Sequence, residues 1–127
     1  MGILKRLFGI CDTKPPVDSG GWSWNNGKLE IDLERTGELS SKGGAVRLEG
    51  GGLPNRVLVL RGEDEKLHAF SNKCTHGGRR LDPLPGQSKV RCCSVGKSTF
   101  DYEGKVFSGT TQGDVHTYPV SFKMADF

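Results

Sequence analysis

The chain has 127 residues, among them 19 glycines and four cysteines, and carries a formal net charge of +3. That length suits one domain with a modest core, and many glycines with few long apolar runs exclude a helical bundle in favour of a loop-rich β structure. Lysines and arginines spread along the chain form no basic stripe, so a nucleic-acid partner is not expected.

Ile3, Leu4, Leu7, Phe8 and Ile10 follow helical spacing with Lys5 and Arg6 opposite, which predicts a short amphipathic N-terminal helix that docks on its own domain or on a partner. The run is too short to cross a bilayer or to serve as a secretory core, and Arg6 stands where N-myristoylation wants Ser or Thr. Asp12 to Gly21, with two prolines and two glycines, reads as a linker. Residues 1–21 are thus expected to form an N-terminal segment, and residues 22–127 the domain.

Lys28 to Arg35 alternates apolar Leu29, Ile31 and Leu33 with charged residues, the period of a strand with one wet face. Ala45 to Leu48 is a shorter candidate. Val57 to Leu60 is uninterrupted apolar β-prone sequence, as in a strand covered on both sides, and the acidic turn after Gly62 leads into Leu67 to Phe70. This hairpin delivers Cys74. A second one is expected from Lys89 to Arg91, a loop at Cys92 to Lys97, Thr99 to Tyr102, a turn at Glu103-Gly104, and Val106-Phe107. Val115 to Phe122 is the last predicted strand, with Pro119 placing it at an edge or a bulge.

Both cysteine-bearing loops lie at strand ends. The first, Cys74-Thr75-His76-Gly77-Gly78, offers a thiolate and an imidazole one residue apart, and the second opens with Cys92 and Cys93. Soft thiolates on one iron and imidazoles on the other are what a high-potential binuclear iron–sulfur centre requires. Four cysteines clustered in this way favour metal binding over structural disulfides and a reducing compartment, the cytoplasm. His68, His116 and Cys11 are assigned ordinary packing or surface roles. Gly96-Lys97-Ser98-Thr99 imitates the end of a phosphate-binding loop, but Arg91 stands where that motif needs its first glycine and a strand follows instead of a helix.

The stretch Val57 to Gly62 with His68 to Gly78 resembles the first cluster loop of Rieske iron–sulfur domains and the hairpin leading into it. Val90 to Cys93, Thr99 to Val106, Ser108-Gly109 and Thr117 to Val120 are similar to the second loop and closing strands of that family. The resemblance covers residues 55 to 121 most sharply and the domain from Trp22 more loosely. It implies an all-β fold, an antiparallel β sandwich with a small cluster-binding subdomain at its tip. It also implies a [2Fe-2S] cofactor, with Cys74, His76 and Cys93 as metal ligands and Ser98 donating a hydrogen bond to a bridging sulfide.

The family's second loop runs Cys-x-x-His. Anchored on Phe100 and Asp101, its cysteine is Cys93 and its histidine position is Gly96; anchored on Cys92, that position is Val95. Three explanations stay open. Cys92 completes a three-thiolate, one-histidine set and lowers the potential; the fold persists without iron as an interaction or regulatory subunit of a redox enzyme, with Cys74 and a second-loop cysteine disulfide-bonded or reduced; or Cys74, His76 and Cys93 hold a mononuclear metal such as zinc. Joint ligation by Cys92 and Cys93 needs a bulge, since neighbours in a strand point to opposite faces. The expected function is one-electron transfer between larger partners rather than catalysis, with Lys73, Arg79, Arg80, Lys89, Arg91 and Lys97 as a rim for an acidic redox partner protein.

Overall fold

The computed structural model describes residues 13–73, 80–84, 86–93, 98–108 and 113–123. The N-terminal helix expected over residues 3–10 lies outside them, as does Cys11.

Among the described residues eleven strands form three sheets: β1 (Trp22–Asn25), β2 (Lys28–Asp32), β3 (Ala45–Leu48), β4 (Val57–Arg61), β5 (Leu67–Ser71), β6 (Leu81–Pro83), β7 (Lys89–Cys92), β8 (Thr99–Asp101), β9 (Val106–Ser108), β10 (Thr117–Tyr118) and β11 (Val120–Lys123). The sheets run β1-β2-β11, β10-β5-β4-β3 and β6-β7-β8-β9. The second is central. One face of it presents Val46, Leu48, Val57, Val59 and Ala69 to Leu29 and Ile31 of β2; the other presents Leu58, Leu60 and Phe70 to Leu81, Val90, Cys92 and Phe100 of the third sheet. Val57 to Leu60 are all buried for that reason, and the doubly covered strand expected from an unbroken apolar run is what the chain forms.

Among the described residues all pairings are antiparallel except β11 with β2, which is parallel. The expected final strand divides at Pro119. Tyr118 pairs with Ala69 in the central sheet and Val120 with Leu29 in the first, so the residue without an N–H marks the corner where the chain changes sheets. Strand β2 stops at Asp32, three residues short of expectation, because the Arg35 amide turns back to the Asp32 carbonyl at 3.1 Å.

Two strands were not expected. β1 joins β2 through Asn26-Gly27, whose φ values of +52° and +75° are those of a type I′ hairpin turn. β6 is a three-residue edge strand containing Pro83, too short and too proline-marked to read as a strand from pattern.

The linker is docked. Thr13 donates its amide to Asp82 Oδ1 at 3.0 Å, Arg47 donates to the Lys14 carbonyl at 3.0 Å, and Val17 donates to Glu38 Oε2 at 2.8 Å. Lys14 therefore occupies part of the open edge of β3, and edge strands are commonly covered in this way. Its prolines rule out a ladder but not single bonds on either side of them.

Candidate metal centre

Both cysteine-bearing loops spring from one place. The first leaves β5 and returns at β6; Asn72 stands at its outgoing foot and Leu81 at its return, and the Leu81 amide donates to Asn72 Oδ1 at 2.7 Å. The second leaves β7 and returns at β8, with the Cys92 amide donating to the Ser98 carbonyl at 2.8 Å. Between them, the Cys93 amide donates to the Arg80 carbonyl at 2.9 Å, and Leu81 faces Cys92 across β6 and β7. One closure bond per loop and one bond between loops hold both at the same end of the third sheet.

Of the expected site residues, Cys92, Cys93 and Ser98 are described; Cys74 and His76 lie outside the described residues, as do Arg79, Gly96 and Lys97. Cys92 takes part in no disulfide and is 3% exposed, in the same apolar layer as Val90 and Phe100. Alternation along β7 sends Val90 and Cys92 inward, and Cys93, one residue further, is equally buried and disulfide-bonded. Ser98 is 1% exposed, and Thr99 opens strand β8, so the phosphate-loop lookalike runs into a strand.

The two described histidines have other work. His68 stacks on Tyr102 with ring centroids 4.4 Å apart and pairs with Asp64 at 2.9 Å, while His116 meets the Tyr118 ring edge-on at 4.7 Å. Among the described residues no group of three metal-ligating side chains occurs.

Phe100 and Asp101, the pair that anchors the second loop, have structural roles. Phe100 is fully buried against the central sheet. Asp101 Oδ1 accepts from the amides of Glu103 at 2.9 Å and Lys105 at 3.0 Å, which shapes the β8–β9 turn around Gly104 at φ +83°. A side chain at Gly104 would strike the Val115 carbonyl. Tyr102 then ties the two hairpins together: its hydroxyl accepts from the Glu63 amide at 3.1 Å and donates to the Gln87 carbonyl at 3.4 Å. Burial of that hydroxyl raises its pKa above the ordinary phenol value.

Of the rim cations, Arg80 is already paired. Its guanidinium grips Glu49 at 2.7 and 3.2 Å, which holds the Glu49 carboxyl below the ordinary range and raises Arg80. Lys89 lies 4.0 Å above the Phe107 ring, an exposed cation–π contact on the third sheet.

The model of the Rieske [2Fe-2S] domain matches residues 31–119. The chain is 35% identical over 98 residues to the oxygenase subunit of glycine betaine monooxygenase from Pseudomonas aeruginosa, and 31% identical over 81 residues to the Chromohalobacter salexigens subunit of the same description. These alignments take in 71% and 62% of this chain but only 22% and 18% of the relatives, so the chain spans about a fifth of the length of the curated proteins it matches. Among solved structures, the plasma membrane Rieske protein PetC3 of Synechocystis PCC 6803 aligns at 27% identity and a TM-score of 0.48, over 57% of this chain and 74% of that one. The chain belongs to the Rieske [2Fe-2S] domain family, whose cofactor is a binuclear iron–sulfur cluster.

By residue type Cys74, His76 and Cys93 would supply three of that cluster's four ligands, with Gly96 or Val95 at the position of the second imidazole, but Cys93 is disulfide-bonded here, and a sulfur in a disulfide cannot ligate iron. The bond from the Cys93 amide to the Arg80 carbonyl brings the second loop against the end of the first, and Asn72 Nδ2 is a buried donor with no acceptor among the described residues. Asn72 was not singled out from sequence, although a short amide two residues before Cys74 was the available signal.

Proposed function

We propose that this domain is a one-electron carrier, its cluster held by Cys74, His76 and Cys93, with Ser98 beside it. The observation that supports this best is the bond from the Cys93 amide to the Arg80 carbonyl, which seats the second loop's cysteine next to the end of the loop bearing Cys74 and His76. When bound, the cluster supplies a one-electron iron couple. The protein's part is to hold both loops by the Asn72–Leu81 and Cys92–Ser98 bonds and to shield the site from water on the side of the third sheet. Cys92 serves as fourth ligand only if the end of β7 turns its thiol out of the core. The partner is an acidic redox protein met by Lys73, Lys89 and Arg91, in a reducing compartment where the ligand cysteines remain thiolates. Among the described residues no helix is long and apolar enough to cross a membrane.

In this reading Cys93→Ser abolishes the reduced-state EPR signal of the anaerobically purified protein. An unchanged signal rejects Cys93 as a ligand.

The disulfide at Cys93 favours a second reading. A sulfur in a disulfide cannot ligate iron, so a chain that keeps this bond under cellular reduction is a cluster-free Rieske fold working as an accessory subunit. Thiol trapping of Cys93 in freshly lysed cells separates the two: labelling supports the carrier, protection supports the subunit.

A further inference from the structure

The linker of residues 13–17 is pinned at two points and leaves a gap beside them. Thr13 is held by Asp82 of β6 and Val17 by Glu38, and the cavity lined by these four residues, about 550 Å³, has Pro15, Ala45, Pro83 and Leu84 in its walls as well. Val17 is 96% exposed, while Pro83 and Leu84 are half-buried. Single exposed apolar side chains are ordinary on a protein surface, but a concave group of them marks a place where something binds.

The charges of this groove narrow the choice of occupant. Lys14 and Arg91 stand against Glu38 and Asp82 in its walls, so the groove as a whole favours neither sign of ligand, and apolar contact is what remains to drive binding. The chain carries a matching group of its own. Helical spacing puts Ile3, Leu4, Leu7, Phe8 and Ile10 on one face with Lys5 and Arg6 opposite, and Thr13, the first described residue, lines the cavity. Only residues 11 and 12 stand between Ile10 and Thr13, which keeps Ile10 within about 11 Å of Thr13. A tether that short gives an effective concentration on the order of millimolar, so a weak apolar contact is enough to fill the groove.

We infer that this groove seats the chain's own N-terminal segment, residues 3–10, whose apolar face covers Val17, Pro83 and Leu84. The inference does not rest on the carrier reading: it holds whether or not the domain binds a cluster.

The test uses the full chain with Phe8→p-benzoylphenylalanine, an aromatic in place of an aromatic, irradiated as a dilute mixture of 14N and 15N protein. After trypsin the expected photoproduct joins residues 7–28 to residues 81–89, with both halves carrying the same isotope. Pro83 and Leu84 supply the diagnostic peptide, because Val17 is a near neighbour of Phe8 along the chain. Adding Leu84→Glu is expected to abolish the product while the circular dichroism stays that of the parent protein. Folded protein that gives no such product overturns the inference and needs no groove variant; a product that survives Leu84→Glu overturns it as well. Products that mix the isotopes assign the groove to the segment of a second copy, and a product lost on adding phosphatidylglycerol vesicles assigns the segment to a lipid surface; either result overturns the inference. No metal enters the test, so its outcome is separate from that of the carrier reading.

Discussion

The apolar layer between the central sheet and β1-β2-β11 is filled by Leu29, Ile31, Leu39, Val46, Leu48, Val57, Val59 and Ala69, with Trp22, Trp24 and Tyr118 at its margin. The layer on the opposite face of that sheet holds Leu58, Leu60, Phe70, Leu81, Val90, Cys92, Phe100 and Val115. Leu81, Val90, Cys92 and Phe100 lie on β6, β7 and β8, the strands that take up or send out the two cysteine-bearing loops. Packing in the first layer determines whether the domain is folded; packing in the second also determines where the loops sit. A family fold can therefore keep its scaffold while its site changes, because the two layers share only the central sheet.

The largest expected effect comes from emptying each layer in turn. Phe100→Ala is expected to cost about 3–5 kcal/mol and Leu29→Ala about 2–5 kcal/mol in urea unfolding. The difference lies in the metal: iron bound per folded chain falls in Phe100→Ala and stays at the wild-type level in Leu29→Ala. Equal iron content in both would erase the distinction between the layers.

Cys92 sharpens the same comparison. As a core residue it accepts Cys92→Val for less than about 1.5 kcal/mol, whereas Cys92→Ser buries a hydroxyl and costs about 1–3 kcal/mol. Both variants are expected to keep the reduced-state EPR spectrum. Loss of the spectrum in Cys92→Val would make Cys92 a ligand after all.

Most of the scaffold was legible in the residues. Alternation in Lys28 to Asp32 and the solid apolar run of Val57 to Leu60 state how many faces each strand covers, and the structure agrees. The Asn26-Gly27 turn was equally legible and went unread, which concealed β1. The change of sheet at Pro119 was not legible: a proline marks an interruption but not the sheet that receives the next residue, which depends on Val120 finding Leu29. At the site, the thiol and imidazole side chains of the loops were visible in sequence. The burial of Cys92 was legible, since alternation puts it on the face of Val90, but that of Cys93, just beyond the strand, was not. The clamp made by Asn72 depends on contact with Leu81, nine residues away, and no local pattern announces it.

A smaller effect concerns the tie between the hairpins. Tyr102→Phe removes the bonds to Glu63 and Gln87 while keeping the ring on His68, and is expected to lower stability by about 1 kcal/mol in thermal or urea unfolding. No loss at all would mean that the ring alone joins the two hairpins.

The smallest is the ion pair at the end of the first loop. The Glu49 carboxyl is held below its usual value of 4.5 by Arg80. Its folded pKa is lower than its unfolded one, so the contribution is complete above the unfolded value and is lost as pH falls through the folded value. Both side chains are about a third exposed, so solvent screening limits the pair to at most about 1 kcal/mol. Glu49→Gln is expected to lower the melting temperature slightly at pH 7 and to match wild type in strong acid. A gap that persists in acid would assign the effect to something other than charge.

The convergence of the two loops on one cluster is tested most directly by assaying iron and acid-labile sulfide in protein purified without oxygen and kept reduced. The account predicts iron and sulfide in equal amounts, two of each per chain as the [2Fe-2S] family requires. Protein that contains neither, before and after reconstitution with its cysteines shown to be free thiols, would contradict it.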